Sequence, residues 1–130
     1  MKRSIVRTEC APLPLSPISQ AVRAGQMIYT SGQLGRDPAT GKLAGPTMRE
    51  QARRALANLK AVVEAGGGSL RSIVKIEGLV TDLDMMGEFN EVFKEFFPVD
   101  PPARCCFEVR RLAAGALVEV SAVAVVEEPD

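Results

Sequence analysis

Residues 47–81 read TMREQARRALANLKAVVEAGGGSLRSIVKIEGLVT, and this stretch decides the fold class. It opens with a capping box, in which Thr47 precedes Glu50 by one helical turn. Apolar residues then recur at the spacing of an amphipathic helix of roughly five turns, at Ala52, Ala55, Leu56, Leu59 and Val63. The glycines at 66–68 end this helix, and residues 69–81 form a long apolar segment typical of a buried strand.

The flanking segments supply the rest of the sheet and a second helix. An edge strand at residues 1–8, a proline-rich loop at 11–17, a hairpin at 20–31 and a Gly/Pro-rich loop at 32–46 precede the helix. A second helix, capped by Asp84, ends before Pro98, and strands at 104–109 and 117–126 follow. This order predicts an α+β domain over residues 1–130, with both helices on one face of a single mixed sheet.

Composition narrows the class of protein. Sixteen basic residues balance sixteen acidic ones, so nothing indicates a general nucleic-acid binder. No apolar run suits a membrane span or a secretory signal, and we expect a cytoplasmic protein; a chain processed from an organelle-targeted precursor would look the same. A chain of 130 residues leaves apolar surface uncovered, which favours oligomers.

The chain contains no histidine and three cysteines, Cys10, Cys105 and Cys106. Without histidine, the Ser-His-Asp and Cys-His nucleophile arrangements are excluded, and the cysteine and carboxylate spacing fits no zinc site. Cys106 therefore lacks an activating base, and a small buried thiol is the better expectation than a nucleophile.

Arg104 and Glu119 are charged residues in the last two strands. Glu119 is a lone acid inside an apolar strand, and Arg104 begins the strand that we expect to pair with it. An Arg fork binds a small carboxylate in bidentate fashion, and a nearby acid can orient or deprotonate water. From alternation alone, a structural ion pair or two exposed charges explains the pattern at least as well.

Several motifs in order resemble the Rid family, the YjgF-type imine deaminases. The most specific is Pro102-Ala103-Arg104-Cys105-Cys106, followed by residues 115–120, Gly-Ala-Leu-Val-Glu-Val. Supporting pieces are residues 29–33 (YTSGQ), 37–41 (DPATG), 51–59, 81–83 (TDL) and 89–93 (FNEVF). The resemblance covers nearly the whole chain.

This resemblance implies a chorismate-mutase-like fold and a homotrimer with active sites between subunits. It also implies hydrolysis of 2-imino acids such as 2-iminobutanoate and 2-iminopropanoate, which pyridoxal-phosphate enzymes release, to 2-oxo acids and ammonia. The family uses no metal or organic cofactor. Two other activities stay open: a metabolite-binding or regulatory trimer, and a ribonuclease or translation inhibitor, for which the neutral charge offers little support.

The resemblance also implies roles for individual residues. Arg104 corresponds to the arginine that binds the substrate carboxylate, and Glu119 to the acid that positions water. Cys106 would line the pocket, and Asn90 would support the site from a helix. Ser31 and Gly32 would form a turn at the cleft.

One position departs from the family pattern. The family usually has Gly-Pro-Tyr-Ser-Gln where this chain has Ser16-Pro17-Ile18-Ser19-Gln20. Ile18 thus replaces a tyrosine that lines the pocket, and it fills space without supplying a hydroxyl group. This puts the usual substrate range in question but leaves the carboxylate anchor intact.

Overall fold

The computed structural model describes residues 2–127, which contain seven strands and two α-helices. In chain order these are β1 Arg3–Val6, β2 Ala21–Ala24, β3 Met27–Thr30, β4 Gln33–Leu34, α1 Met48–Ala65, β5 Ile73–Val80, α2 Met86–Phe96, β6 Ala103–Glu108 and β7 Val118–Val125. Neither helix is long and apolar enough to cross a membrane.

The strands form one mixed sheet in the order β1-β2-β3-β7-β5-β6, and β4 pairs with β7 beside β3. β5 and β6 run parallel, joined through α2, and the other pairs are antiparallel. The helices pack together on one face of the sheet. The predicted α+β fold, with a mixed sheet and both helices on one face, is confirmed.

Side-chain alternation along β7 places the core between the sheet and the helices. Val118, Val120, Ala122 and Ala124 are buried beneath α1, while the intervening residues are only partly buried. On α1 the residues at the predicted helical spacing are fully buried. The face of the sheet opposite the helices is therefore open in the single chain, and it carries Glu119.

Ion pairs on the outer surface join the two helices. Arg49 pairs with Glu88 and Glu91, and Arg53 with Glu95 at 2.9 Å. Because all five side chains are about half exposed to solvent, these pairs contribute little free energy of folding. They identify the side of α2 that faces α1.

Local hydrogen bonds moved two predicted boundaries, and one predicted loop contains a strand. Ser69 caps a single turn, accepting from the amide of Arg71 at 3.2 Å, so the long strand begins at Ile73 rather than 69. Asp82, not Asp84, caps the segment before α2, since its carboxylate accepts from the amide of Asp84 at 2.8 Å. The predicted loop at 32–46 contains the two-residue strand β4, too short to produce a periodic signal.

The expected pairing of the last two strands is wrong. β5 lies between β6 and β7, pairing with Ala103–Glu108 on one side and with Val118–Val125 on the other. A loop between successive strands suggested a hairpin, but β6 follows a helix and docks parallel to β5 at the sheet edge. The consequence is that Arg104 and Glu119 are not cross-strand neighbours.

Candidate active site

A cleft of about 510 Å³ opens between the segment 12–18 and the loop 31–41. It brings together four of the predicted site residues, which we call the cleft group: Ile18, Ser31, Gly32 and Glu119. The segment before β2, the loop that contains β4 and the strand β7 build this site, so the four residues come from three distant parts of the chain.

Glu119 supplies the carboxyl group of the cleft. Partial burial raises the pKa of this carboxyl above its ordinary value, because the charged form loses hydration. Within residues 2–127 no basic side chain forms an ion pair with it. Gly32 makes room for the carboxyl: a Cβ atom there would lie 2.2 Å from Glu119 Oε1. A half-buried acid with a raised pKa suits proton transfer.

Ser31 connects the two walls of the cleft through hydrogen bonds. Its hydroxyl donates to the carbonyl of Ser19 at 2.6 Å, and its amide donates to the carbonyl of Gln20 at 2.9 Å. A serine hydroxyl has a single proton to donate. Ser31 Oγ can therefore only accept a hydrogen bond from a ligand or water.

Three buried amides, Gln20, Gln51 and Asn58, fix the loops around the cleft. Gln20 bonds both the amide and the carbonyl of Thr8, at 2.7 and 3.0 Å. Asn58 donates to the carbonyls of Leu34 and Arg36 at 3.1 and 2.8 Å, and Gln51 accepts from the amide of Leu117 at 2.7 Å. The sequence interpretation missed these residues. A polar Asn58 between Leu56 and Leu59 on an apolar helix face was the available signal.

The remaining predicted residues, Asn90, Arg104 and Cys106, lie at the β6 edge of the sheet and are called the edge group here. The Arg104 guanidinium stacks over the rings of Phe89 and Phe93, 5.5 and 4.8 Å from their centroids. It is exposed and forms no ion pair within the described residues. Stacking on two rings orients the fork while its donors stay available to an anion.

Cys106 lies behind Arg104 on the same face of β6. Burial raises the pKa of its thiol, and the positive charge of Arg104 offsets only part of this effect. A Cβ atom added at Gly78 would lie 3.0 Å from the Cys106 sulfur, so the glycine leaves room for the thiol. The neutral thiol fits the expectation of a small packing residue rather than a nucleophile.

Asn90 projects from α2 on the side opposite Glu88 and Glu95, which face α1. Its side-chain oxygen is buried and accepts no hydrogen bond from residues 2–127. Buried amide oxygens normally have a donor, so this atom is an unsatisfied acceptor among the described residues.

The two groups do not meet within one chain. Arg104 packs against α2 on the helix-covered face, whereas Glu119 projects from the open face, and β5 separates their strands. The structural ion pair that alternation allowed is therefore absent, as is any direct cooperation between Arg104 and Glu119 within a subunit.

The sequence profile of the family described as Endoribonuclease L-PSP matches residues 8–126. A RutC family protein from Pyrococcus abyssi is 39% identical over 95% of this chain and 98% of its own. The 2-iminobutanoate/2-iminopropanoate deaminase of Mus musculus is 38% identical, covering 95% of this chain and 91% of its own. The crystal structure of E. coli TdcF with bound serine superposes with a TM-score of 0.92 at 38% identity, over 95% of this chain and 99% of that chain. The chain therefore belongs to the Endoribonuclease L-PSP family, the family of Rid and YjgF proteins that its motifs resemble.

Proposed function

We propose that this protein hydrolyses 2-imino acids to 2-oxo acids and ammonia, with Arg104 holding the substrate carboxylate and Glu119 moving the protons. The observation that carries the proposal is a pair of oppositely charged groups that form no ion pair within residues 2–127: the exposed guanidinium of Arg104 and the half-buried carboxyl of Glu119. Relatives named as deaminases support the reaction class.

We further propose that a homotrimer joins the edge group of one subunit to the cleft group of the next. Each group is incomplete alone, since a 2-imino acid needs both an anchor for its carboxylate and a proton relay at its imine carbon. The open sheet face exposes Tyr29, Val74 and Phe107, which supplies apolar surface for such contacts. Light scattering in solution tests this assembly.

The proposed chemistry follows from the two groups. Water adds to the imine carbon, so that a C–O bond forms and the π electrons of C=N move to nitrogen. Glu119 accepts the proton that water loses and delivers it to this nitrogen. In the resulting carbinolamine, Glu119 relays the hydroxyl proton to the amino group as the C–N bond breaks. Ammonia leaves, the carbonyl forms, and Glu119 returns to its starting state.

Arg104 acts on the substrate rather than on the water. Its fork can form two parallel charge-assisted hydrogen bonds to the 2-carboxylate, and the Phe89 and Phe93 rings restrict its motion. Holding the carboxylate fixes the imine carbon relative to the attacking water, which replaces a bimolecular encounter by an oriented one. Cys106 remains a neutral packing group in this mechanism.

The test generates 2-iminobutanoate with a threonine dehydratase and follows its loss with and without the protein. Arg104→Ala and Glu119→Gln should each abolish most of the acceleration while the variants remain folded. Arg110→Ala is the matched control, because Arg110 is an exposed arginine just beyond β6 and outside both groups. No acceleration by the unmodified protein would refute the proposal for this substrate.

A second candidate is a binding protein that holds a metabolite carboxylate without turnover. TdcF was crystallised with serine bound, and Ile18 in the present chain contributes no hydroxyl to catalysis. Titration calorimetry with 2-oxobutanoate separates the two: binding that depends on Arg104, with an inactive imine assay, would favour the second candidate.

A further inference from the structure

A second cavity, of about 450 Å³, lies between the turn that precedes β5 and the end of α2. Residues of the turn at 70–73 and of the segment 96–102 line it. None of these residues lines the cleft, and none belongs to the edge group. The proposed imine hydrolysis therefore makes no use of this cavity, although its volume is within the range of pockets that hold small ligands.

Apolar residues make up most of the lining of the second cavity. Ile73 and Phe97 are buried, and Leu70 and Phe96 are half-buried. Val99, by contrast, is 75% exposed. A ligand with an apolar side chain would cover Val99 and Phe96 and so remove apolar surface from water, which favours binding.

Two oppositely charged residues, Arg71 and Asp100, complete the lining. Within residues 2–127 neither side chain forms an ion pair, and the two do not pair with each other. A guanidinium group has only donors, and an ionised carboxylate has only acceptors. The second cavity therefore offers donors for an anion and acceptors for a cation beside one apolar surface.

The backbone around both charges is restricted. Asp100 has a φ of 49°, a left-handed conformation that few non-glycine residues adopt, and Pro101 follows it directly. On the other side of the cavity, the Ser69 hydroxyl accepts from the amide of Arg71 at 3.2 Å. Because these segments are already ordered, a ligand that binds between them loses less free energy in ordering the chain.

We propose that the second cavity binds a free α-amino acid with an apolar side chain. The carboxylate of the ligand accepts from the guanidinium of Arg71, and its ammonium group donates to the carboxylate of Asp100. The side chain of the ligand packs on Val99 and Phe96. A carboxylic acid without the ammonium group leaves Asp100 unpaired, and an amine without the carboxylate leaves Arg71 unpaired, so a zwitterion fits this lining best.

Titration calorimetry on the full chain compares leucine with its two analogues that lack one charge, 4-methyl-2-oxopentanoate and 3-methylbutylamine. We expect leucine to bind at least about tenfold more tightly than either, since each analogue loses one charge-assisted contact. Serine keeps both charges but lacks the apolar side chain, and it should also bind at least about tenfold more weakly than leucine.

Arg71→Ala and Asp100→Asn should each weaken leucine binding about tenfold. Asparagine tolerates a left-handed φ as aspartate does, so the second variant preserves the loop. Arg110→Ala and Asp84→Asn are the matched controls, because both residues are exposed and lie outside the cavity. Their affinity for leucine should equal that of the unmodified protein.

Arg104→Ala separates this site from the proposed catalytic site, where Arg104 offers another place for a carboxylate. Leucine binding should persist in Arg104→Ala and weaken in Arg71→Ala. The reverse result would overturn the proposal, as would equal affinity for leucine and its oxo acid, or no detectable binding of leucine. Because the experiment measures binding and not turnover, each of these results leaves the proposed imine hydrolysis standing.

Discussion

Substituting Gly32 by alanine tests whether the position of the Glu119 carboxyl controls the rate. The new Cβ atom would lie 2.2 Å from Oε1 and 2.5 Å from Cδ of Glu119. Ordinary van der Waals contact begins near 3.4 Å, so the carboxyl oxygen must move by about 1.2 Å. The backbone at Gly32 has no positive φ angle, so alanine is compatible with it.

A displacement of about 1 Å in a reacting group can reduce the rate about 100-fold, equivalent to about 2.7 kcal/mol in the activation free energy. We therefore expect Gly32→Ala to lower kcat/KM for 2-iminobutanoate about 100-fold. Stability should change little, because alanine reduces the entropy of the unfolded chain and the half-exposed Glu119 side chain can turn away. The imine assay gives the rate, and thermal melting gives the stability.

Gly87→Ala is the matched control: Gly87 lies within α2, and a Cβ there meets no atom within 4 Å. It should stabilise the helix by at most about 0.5–1 kcal/mol, because Gly87 lies in the first turn, and leave the rate unchanged. In a Glu119→Gln background, Gly32→Ala should have almost no further effect, since both changes act on one group. A Gly32→Ala enzyme with kcat/KM within threefold of the unmodified protein would refute the reasoning.

Four further predictions concern Arg104, Glu119 and Cys106 of the two groups and the buried amide Asn58. Arg104→Lys keeps the charge but loses the planar fork and its stacking, so kcat/KM should fall about 10- to 100-fold in the imine assay. Glu119→Gln should raise the melting temperature at pH 7. Because the pKa of Glu119 is raised in the folded protein, its negative charge destabilises the fold once the pH rises above 4.5, the ordinary value. The increase in melting temperature should therefore vanish below pH 4.5. An equal increase at about pH 3 would contradict this reasoning. Asn58→Ala leaves the carbonyls of Leu34 and Arg36 without their donor and should reduce the free energy of unfolding by about 1–3 kcal/mol in urea titrations. Cys106→Ala should retain activity within about threefold, because the thiol stays neutral; complete loss in a folded variant would restore a nucleophilic role.

Much of the local structure could be predicted from short-range patterns. The capping residue Thr47, which accepts from the amide of Glu50 at 3.2 Å, and the glycines after Ala65 marked both ends of α1. Alternation in the last strand separated Val118 and Val120, which are buried, from Glu119, which lines the cleft. These features depend on residues one to four positions apart in the chain, so they can be predicted from the sequence alone.

Individual residues of the candidate site could also be predicted from the sequence, but which of them lie close together could not. The family motifs indicated both Arg104 and Glu119, yet the expectation that their strands pair was wrong. The role of the buried amides around the cleft was not predicted, because their hydrogen-bond partners are distant in the chain. Asn58, for example, donates to carbonyls 22 and 24 residues away. A side chain's neighbours in sequence do not reveal such partners.

The sequence by itself determined the helices, the alternation within each strand and the identity of the charged residues. Only the tertiary structure decided that β5 lies between β6 and β7, and therefore that the edge group and the cleft group occupy opposite faces. The physical reason is that alternation fixes a side chain's face only relative to its own strand. The partner of a strand is chosen by hydrogen bonding and packing between segments far apart in the chain, after α2 has returned β6 parallel to β5.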